Sequence, residues 1–274
     1  MFISGYCAGQ ANNSLEKLGG KWAYGVFQNA MSDEMLLLPT GVEFVPLTFE
    51  FSPNESWSRF TKWESYKGNW LIGSEPHTDW DNYRPIPEIA NIFMSQMKYI
   101  KTFDANAKFI VTCSTQGQLP YNPHSQNNFI DALWKFFPQE YKDMTTGFHC
   151  HLYPRWRSDD PKIRWSVKYL VEYVRKLRRW MTENGVGDKE LWMSEFGYEG
   201  YFEYPDYGKC VRYLRRLVNN KYLSENLTRF AFYVANNRDG NGGSNGYLPL
   251  LDESGELTRL GFVYSKFTRK NNGK

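Results

Sequence analysis

"KIRWSVKYLVEYVRKLRRWM" (162–181), followed after nine intervening residues by "LWMSEFG" (191–197), is the stretch on which the fold turns. In the first segment Ile163, Val167, Leu170, Val171, Val174 and Leu177 recur at steps of three and four, which aligns them as one apolar stripe on a helix. The basic run "RKLRRW" (175–180) falls mainly on that helix's solvated side, since charged residues rarely bury unpaired. The second segment is a short apolar run of strand length. A further strand candidate, "GFHCHLY" (147–153), precedes the helix. Strand, helix, strand is the order in which a long crossover connection lays two strands parallel.

The same alternation extends outward. Toward the N-terminus lie the strand candidates "FISGY" (2–6), "KWAYGVF" (21–27), "VEFVPLTF" (42–49), "NWLIGSE" (69–75) and "KFIVTCS" (108–114), and toward the C-terminus "RFAFYVA" (229–235). Ile89, Ile92, Phe93, Met97 and Ile100 line one helical face after the fourth strand. "SQNNFIDALWKFF" (125–137) and "YGKCVRYLRRLV" (207–218) supply helices after the fifth and seventh; the first two connections are short. Eight strands separated mostly by helices predict an α/β fold, a (β/α)8 TIM barrel. No composition shift or linker divides the 274 residues, so one compact domain is expected over 1–274. An open doubly wound sheet is the alternative, but "GYCAGQANN" after the first strand lacks the G-x-G-x-x-G phosphate turn.

Composition narrows the function. A formal charge of +3 argues against nucleic acid as a partner, and no run of 18 apolar residues is present to span a membrane. The four cysteines (Cys7, Cys113, Cys150, Cys210) are dispersed without C-x-x-C or Cys/His ligand spacing, which argues against structural zinc and a disulfide scaffold. No metal or other cofactor is implied, and a monomer is expected. The opening "MFISGYCAGQANN" lacks the charged and apolar regions of a signal peptide, so secretion would require one removed earlier. Ten Trp, nineteen Tyr and nineteen Phe exceed what a core of this size needs, and the excess points to a cleft lined with rings.

In a (β/α)8 barrel, chemistry sits at the C-terminal ends of the strands. Pro76 has no N–H for a ladder, so the fourth strand is expected to end near Glu75, leaving its carboxylate on the rim. The seventh ends in Glu195. Strand alternation places Leu71, Gly73 and Glu75 on one face, and Leu191, Met193 and Glu195 on another. In the sixth, Phe148, Cys150 and Leu152 alternate with His149, His151 and Tyr153. The first set suits the helix layer, and the second suits a polar cleft, with His151 and Tyr153 nearest the rim. Two carboxylates at such a mouth, with no metal-ligand pattern, fit hydrolysis of a glycosidic bond. One stays protonated to assist the leaving oxygen; the other stays ionised.

"WLIGSEPH" and "LWMSEFG" resemble the acid/base and nucleophile settings of the clan A retaining glycoside hydrolases. His151-x-Tyr153 is similar to the clan's sixth-strand signature, and "LPLLDESGELTRLGFVYSKF" (248–267) to its closing turn and helix. Compactness, "KWAYGVF" and "GVEFVPLTFEF" bring the likeness nearest to the small catalytic core of glycoside hydrolase family 128. That resemblance implies a retaining endo-β-1,3-glucanase with Glu75 as acid/base and Glu195 as nucleophile, acting on a polysaccharide or oligosaccharide. One departure is Ser74, where the clan usually has an Asn that binds the sugar 2-hydroxyl. Trp80 and Trp156, in polar loops beyond strand ends, are candidate stacking platforms. Glu50 and Asn236 are candidate hydroxyl ligands. Two alternatives stand beside this reading: a clan A relative cleaving a β-1,4-linked mannan or xylan, and a glycan-binding barrel without turnover.

Overall fold

The structure is a computed structural model that describes residues 3–7, 13–26, 40–48, 66–74, 76, 84–114, 126–152, 166–197, 207–233, 235, 249–252 and 254–271. Eight strands lie among these residues: β1 (Ile3–Cys7), β2 (Trp22–Val26), β3 (Glu43–Leu47), β4 (Asn69–Ile72), β5 (Lys108–Ser114), β6 (Thr145–His151), β7 (Glu190–Phe196) and β8 (Arg229–Phe232). They follow one another in chain order around a closed barrel, and β8 returns to pair with β1 in parallel. The helices are α1 (Ile86–Phe103), α2 (Gln126–Phe136), α3 (Gln139–Met144), α4 (Val167–Glu183), α5 (Tyr207–Val218), α6 (Lys221–Asn226) and α7 (Arg259–Asn271). A short 3-10 helix, Asn13–Leu18, fills the first connection. The expected (β/α)8 barrel is the observed one.

The chain divides into two compact units, one of residues 1–25, 30–44 and 152–274, the other of 26–29 and 45–151. In the second unit α1 begins just after Pro85, with Pro87 also in its first turn, where a missing N–H costs nothing. It buries Ile89, Ile92, Phe93, Met97 and Ile100, the stripe read from the sequence, and with them Gln96. Asp104 closes the helix and is 2% exposed; its carboxylate accepts from the N–H groups of Gly68 (3.0 Å) and Asn106 (3.1 Å), tying the helix end to the start of β4. Trp70 packs edge-on against Tyr66 and Phe103, which sets this residue of β4 toward the helix layer. Phe148 of β6 does the same against Trp134 of α2, so the expected assignment of Phe148 to the helix side holds.

In the first unit the stripe of α4 buries Leu170, Tyr173, Val174, Leu177 and Met181. Ile163 falls outside the described residues, and the helix begins at Val167. Phe230 and Phe232 of β8 pack on Tyr264 of α7, and Phe230 also on Phe267. The helix begins at a designed stop: Thr258 Oγ1 accepts from Gly261 N (3.1 Å), satisfying a free N–H of the first turn. Gly261 is needed for contact, because a Cβ there would lie 1.9 Å from the Leu250 carbonyl oxygen.

The other face of this half-barrel is polar and aromatic. Arg229, the first residue of β8, forms a 2.6 Å ion pair with Glu43 of β3 and stands over the rings of Trp22 and Trp192. Trp22 and Trp192 meet at 5.2 Å. Strands β2 and β3 are not neighbours of β8, so Arg229 can reach Trp22 and Glu43 only through the barrel's interior, and Trp192, paired with Arg229 on the adjacent strand β7, faces the same side. These side chains form the barrel's floor, at the strands' N-terminal ends.

Candidate active site

Glu195 lies at the opposite end of β7 and is 7% exposed. Simple alternation would put it with Leu191 and Met193, but the structure corrects that expectation. Trp192 pairs with Arg229 and Met193 with Phe230, yet Phe196 pairs with Phe232. Ser194 and Glu195 therefore both stand opposite the single residue Ala231, which is a β-bulge. Phe196 stacks on Phe230 at 4.9 Å and touches Tyr264, which fixes it on the helix side. Trp192 is on the interior side. The bulge thus reverses the strand's parity and turns Glu195 to the interior, away from the face of Leu191 and Met193. Its carbonyl oxygen accepts from Leu152 N at 2.8 Å, which holds the bulged segment in place.

The end of β4 also departs from the simple pattern. The strand stops at Ile72, short of the expected Glu75, because Gly73 takes φ +76°, a left-handed conformation unavailable to a ladder. Trp70 faces the helices, so alternation would send position 73 inward. A Cβ at Gly73 would instead lie 2.2 Å from Phe93 Cζ of α1, on the helix side. The expected common face of Leu71, Gly73 and Glu75 is therefore broken at Gly73. Ser74 follows, 7% exposed, with its carbonyl oxygen accepting from Thr112 Oγ1 (3.1 Å).

On β6, His149 and His151 are fully buried, with ring centroids 5.9 Å apart. They lie on the side opposite Phe148, as expected. Burial pushes the His149 pKa down to about 3, the neighbouring His151 pushes the same way, and hydrogen bonds to the backbone of Ile72 and Gly73 oppose it weakly. His149 is therefore neutral at physiological pH. Its role is structural: it grips the end of β4.

Glu75, Trp80, Tyr153, Trp156, Glu50 and Asn236 lie outside the described residues. Three residues that the sequence reading passed over stand beside the β4 rim. Thr48 Oγ1 accepts from Gly73 N (3.0 Å) and donates to Gln96 Oε1 (2.9 Å), and Thr112 holds Ser74. The one local signal was Gln96, a polar residue inside the apolar stripe of α1. Among the described residues no group of three His, Cys, Asp or Glu side chains is placed to hold a metal ion.

No family model matches the chain, and no curated protein matches it in sequence. Solved structures do match. The chain shares its fold with glycoside hydrolase family 128. An endo-β-1,3-glucanase of subgroup I from Amycolatopsis mediterranei, crystallised with laminaripentaose, superposes with a TM-score of 0.64 at 12% identity, over 96% of this chain and 98% of that one. A subgroup III curdlan-specific exo-β-1,3-glucanase from Blastomyces gilchristii, in complex with glucose, gives 0.65 at 16% identity over 96% and 97%. A subgroup V exo-β-1,3-glucanase from Cryptococcus neoformans gives 0.61 at 18% identity over 97% and 99%. The likeness spans essentially the whole of each chain. At such identities it is a likeness of fold.

Proposed function

We propose that this protein is a retaining glycoside hydrolase, an endo-acting β-1,3-glucanase, with Glu195 as nucleophile and Glu75 as general acid/base. The observation that carries the reading is the bulge that turns a nearly buried carboxylate, Glu195, to the interior at the C-terminal end of β7. That is the end of a parallel barrel where active sites form. The shared fold with β-1,3-glucanases over nearly the whole chain supports the substrate class.

In this mechanism Glu195 attacks the anomeric carbon while Glu75 protonates the departing glycosidic oxygen. The C–O bond to the leaving sugar breaks and a glycosyl ester with Glu195 forms. Glu75, now ionised, removes a proton from water, which attacks the same carbon and releases Glu195 with the original configuration restored. Double displacement of this kind requires two carboxyls about 5–5.5 Å apart. Ser74, His151 and Tyr153 are assigned to orienting the cleaved sugar, Trp80 and Trp156 to stacking on neighbouring units, and Glu50 and Asn236 to sugar hydroxyls.

The test is hydrolysis of a panel of β-1,3-, β-1,4- and mixed-linked glucans, mannan and xylan, with product sizing. Release of mixed oligosaccharides from β-1,3-glucan is expected. Glu195→Ala should abolish turnover on every substrate. Glu75→Ala should lose polymer turnover, yet azide should restore its rate on an activated aryl β-glucoside and yield the β-glucosyl azide. Release from mannan or xylan alone would overturn the substrate assignment. An inverted azide, or near-native polymer hydrolysis by either variant, would overturn the mechanism.

A further inference from the structure

The backbone at the β4 rim is held by more side chains than a strand end requires. Gly73 leaves the extended conformation, so its N–H goes to a side chain, Thr48 Oγ1 at 3.0 Å. That hydroxyl then uses its own proton on Gln96 Oε1 at 2.9 Å. Thr112, from β5, donates to the carbonyl of Ser74 at 3.1 Å, and His149, from β6, hydrogen-bonds the backbone of Ile72 and Gly73. Thr48, Thr112 and His149 are fully buried and Gln96 is 3% exposed.

A buried glutamine amide is an expensive choice at this position. Gln96 sits in a stripe otherwise built of Ile, Phe and Met, and an apolar residue of similar volume would pack there without a polar group to satisfy. Buried polar networks that are satisfied select one geometry of the chain they hold. Here the chain held is Gly73–Ser74, the two residues that deliver the backbone to Glu75.

We infer that Thr48, Gln96 and Thr112 are positioning residues for the general acid/base, fixing the peptide planes from which Glu75 is presented to the glycosidic oxygen. The inference rests on the assignment of Glu75 proposed above. Its physical basis is that proton transfer demands hydrogen-bond geometry between carboxyl and leaving oxygen, and a misplacement on the order of 1 Å can cost ~100-fold in rate.

The test is steady-state kinetics of Thr48→Val and Thr112→Val on β-1,3-glucan and on a dinitrophenyl β-glucoside, whose leaving group needs no proton. Each variant removes a hydroxyl at nearly constant shape. On the polymer, kcat should fall about tenfold or more with KM within about twofold, while kcat/KM on the activated glycoside stays within about twofold. Thr48→Ser, which keeps the hydroxyl, should restore polymer turnover. Gln96→Met should reproduce the split more weakly, because Thr48 can still accept from Gly73. Equal losses on both substrates, unchanged polymer turnover, or no rescue by serine would overturn the inference. If Thr48→Val does not fold, Thr112→Val decides the question through Ser74. Glu75→Ala in the otherwise native chain is the control: if it keeps polymer turnover, the assignment of Glu75 fails rather than the positioning network.

Discussion

Acidification should weaken this protein through one identifiable histidine. His149 is fully buried, beside His151, and its folded pKa lies at about 3 against 6.5 in the unfolded chain. The folded state therefore refuses a proton that the unfolded state accepts below pH 6.5. A depressed histidine pKa contributes stability that is fully present above the unfolded value and is lost as pH falls from there toward about 3. Each pH unit in that window removes about 1.4 kcal/mol, which amounts to roughly 3 kcal/mol by pH 4. Domains of ordinary stability hold only about 5–15 kcal/mol in total, so the loss is visible. Carboxylates also titrate there, so the measurement is a difference: urea unfolding of the native protein and of His149→Gln at pH 7, 6, 5 and 4. The native protein should lose roughly 3 kcal/mol more than the variant between pH 7 and 4. Parallel curves would refute the reasoning, as would an NMR titration showing the His149 ring protonating near pH 6.5 in the folded state.

The remaining expectations concern packing and caps. Gly73→Ala puts a Cβ 2.2 Å from Phe93 Cζ in a left-handed conformation, and should cost roughly 2–4 kcal/mol; an unchanged melting temperature would contradict the placement of Phe93. Gly261→Ala meets the Leu250 carbonyl at 1.9 Å, a backbone atom that cannot swing away, whereas Gly185→Ala meets nothing within 4 Å. Thermal melts should rank the first well above the second, whose cost is its positive φ alone, about 1 kcal/mol. Thr258→Val removes the cap of Gly261 N, and should cost about 1 kcal/mol in denaturant unfolding. Glu43→Ala leaves Arg229, whose side chain is 11% exposed, without its carboxylate. The cost should be roughly 1–3 kcal/mol, less than for a fully buried pair because Glu43 is about a third exposed. A double-mutant cycle with Arg229→Met checks it.

What the sequence determined by itself was whatever depends on local period. The three-and-four spacing from Val167 to Leu177 and from Ile89 to Ile100 specified helices, because each stripe is apolar wherever its helix is placed. The apolar runs between them specified strands, and their alternation with helices specified parallel order and hence a barrel. The carboxylate ending β7 and the helix-facing Phe148 were legible for the same reason. What only the tertiary structure decided was where parity breaks. The bulge at Ser194–Glu195 arises from the register of β7 against β8, and the left-handed position of Gly73 admits only glycine because the ring of Phe93 lies behind it. Neither leaves a mark in the period of its own strand. The grip of Thr48, Gln96, Thr112 and His149 on the β4 rim was likewise hidden, since its partners lie 25, 38 and 48 positions apart along the chain. A local pattern fixes which residues can face inward; contacts between distant segments fix which of them do.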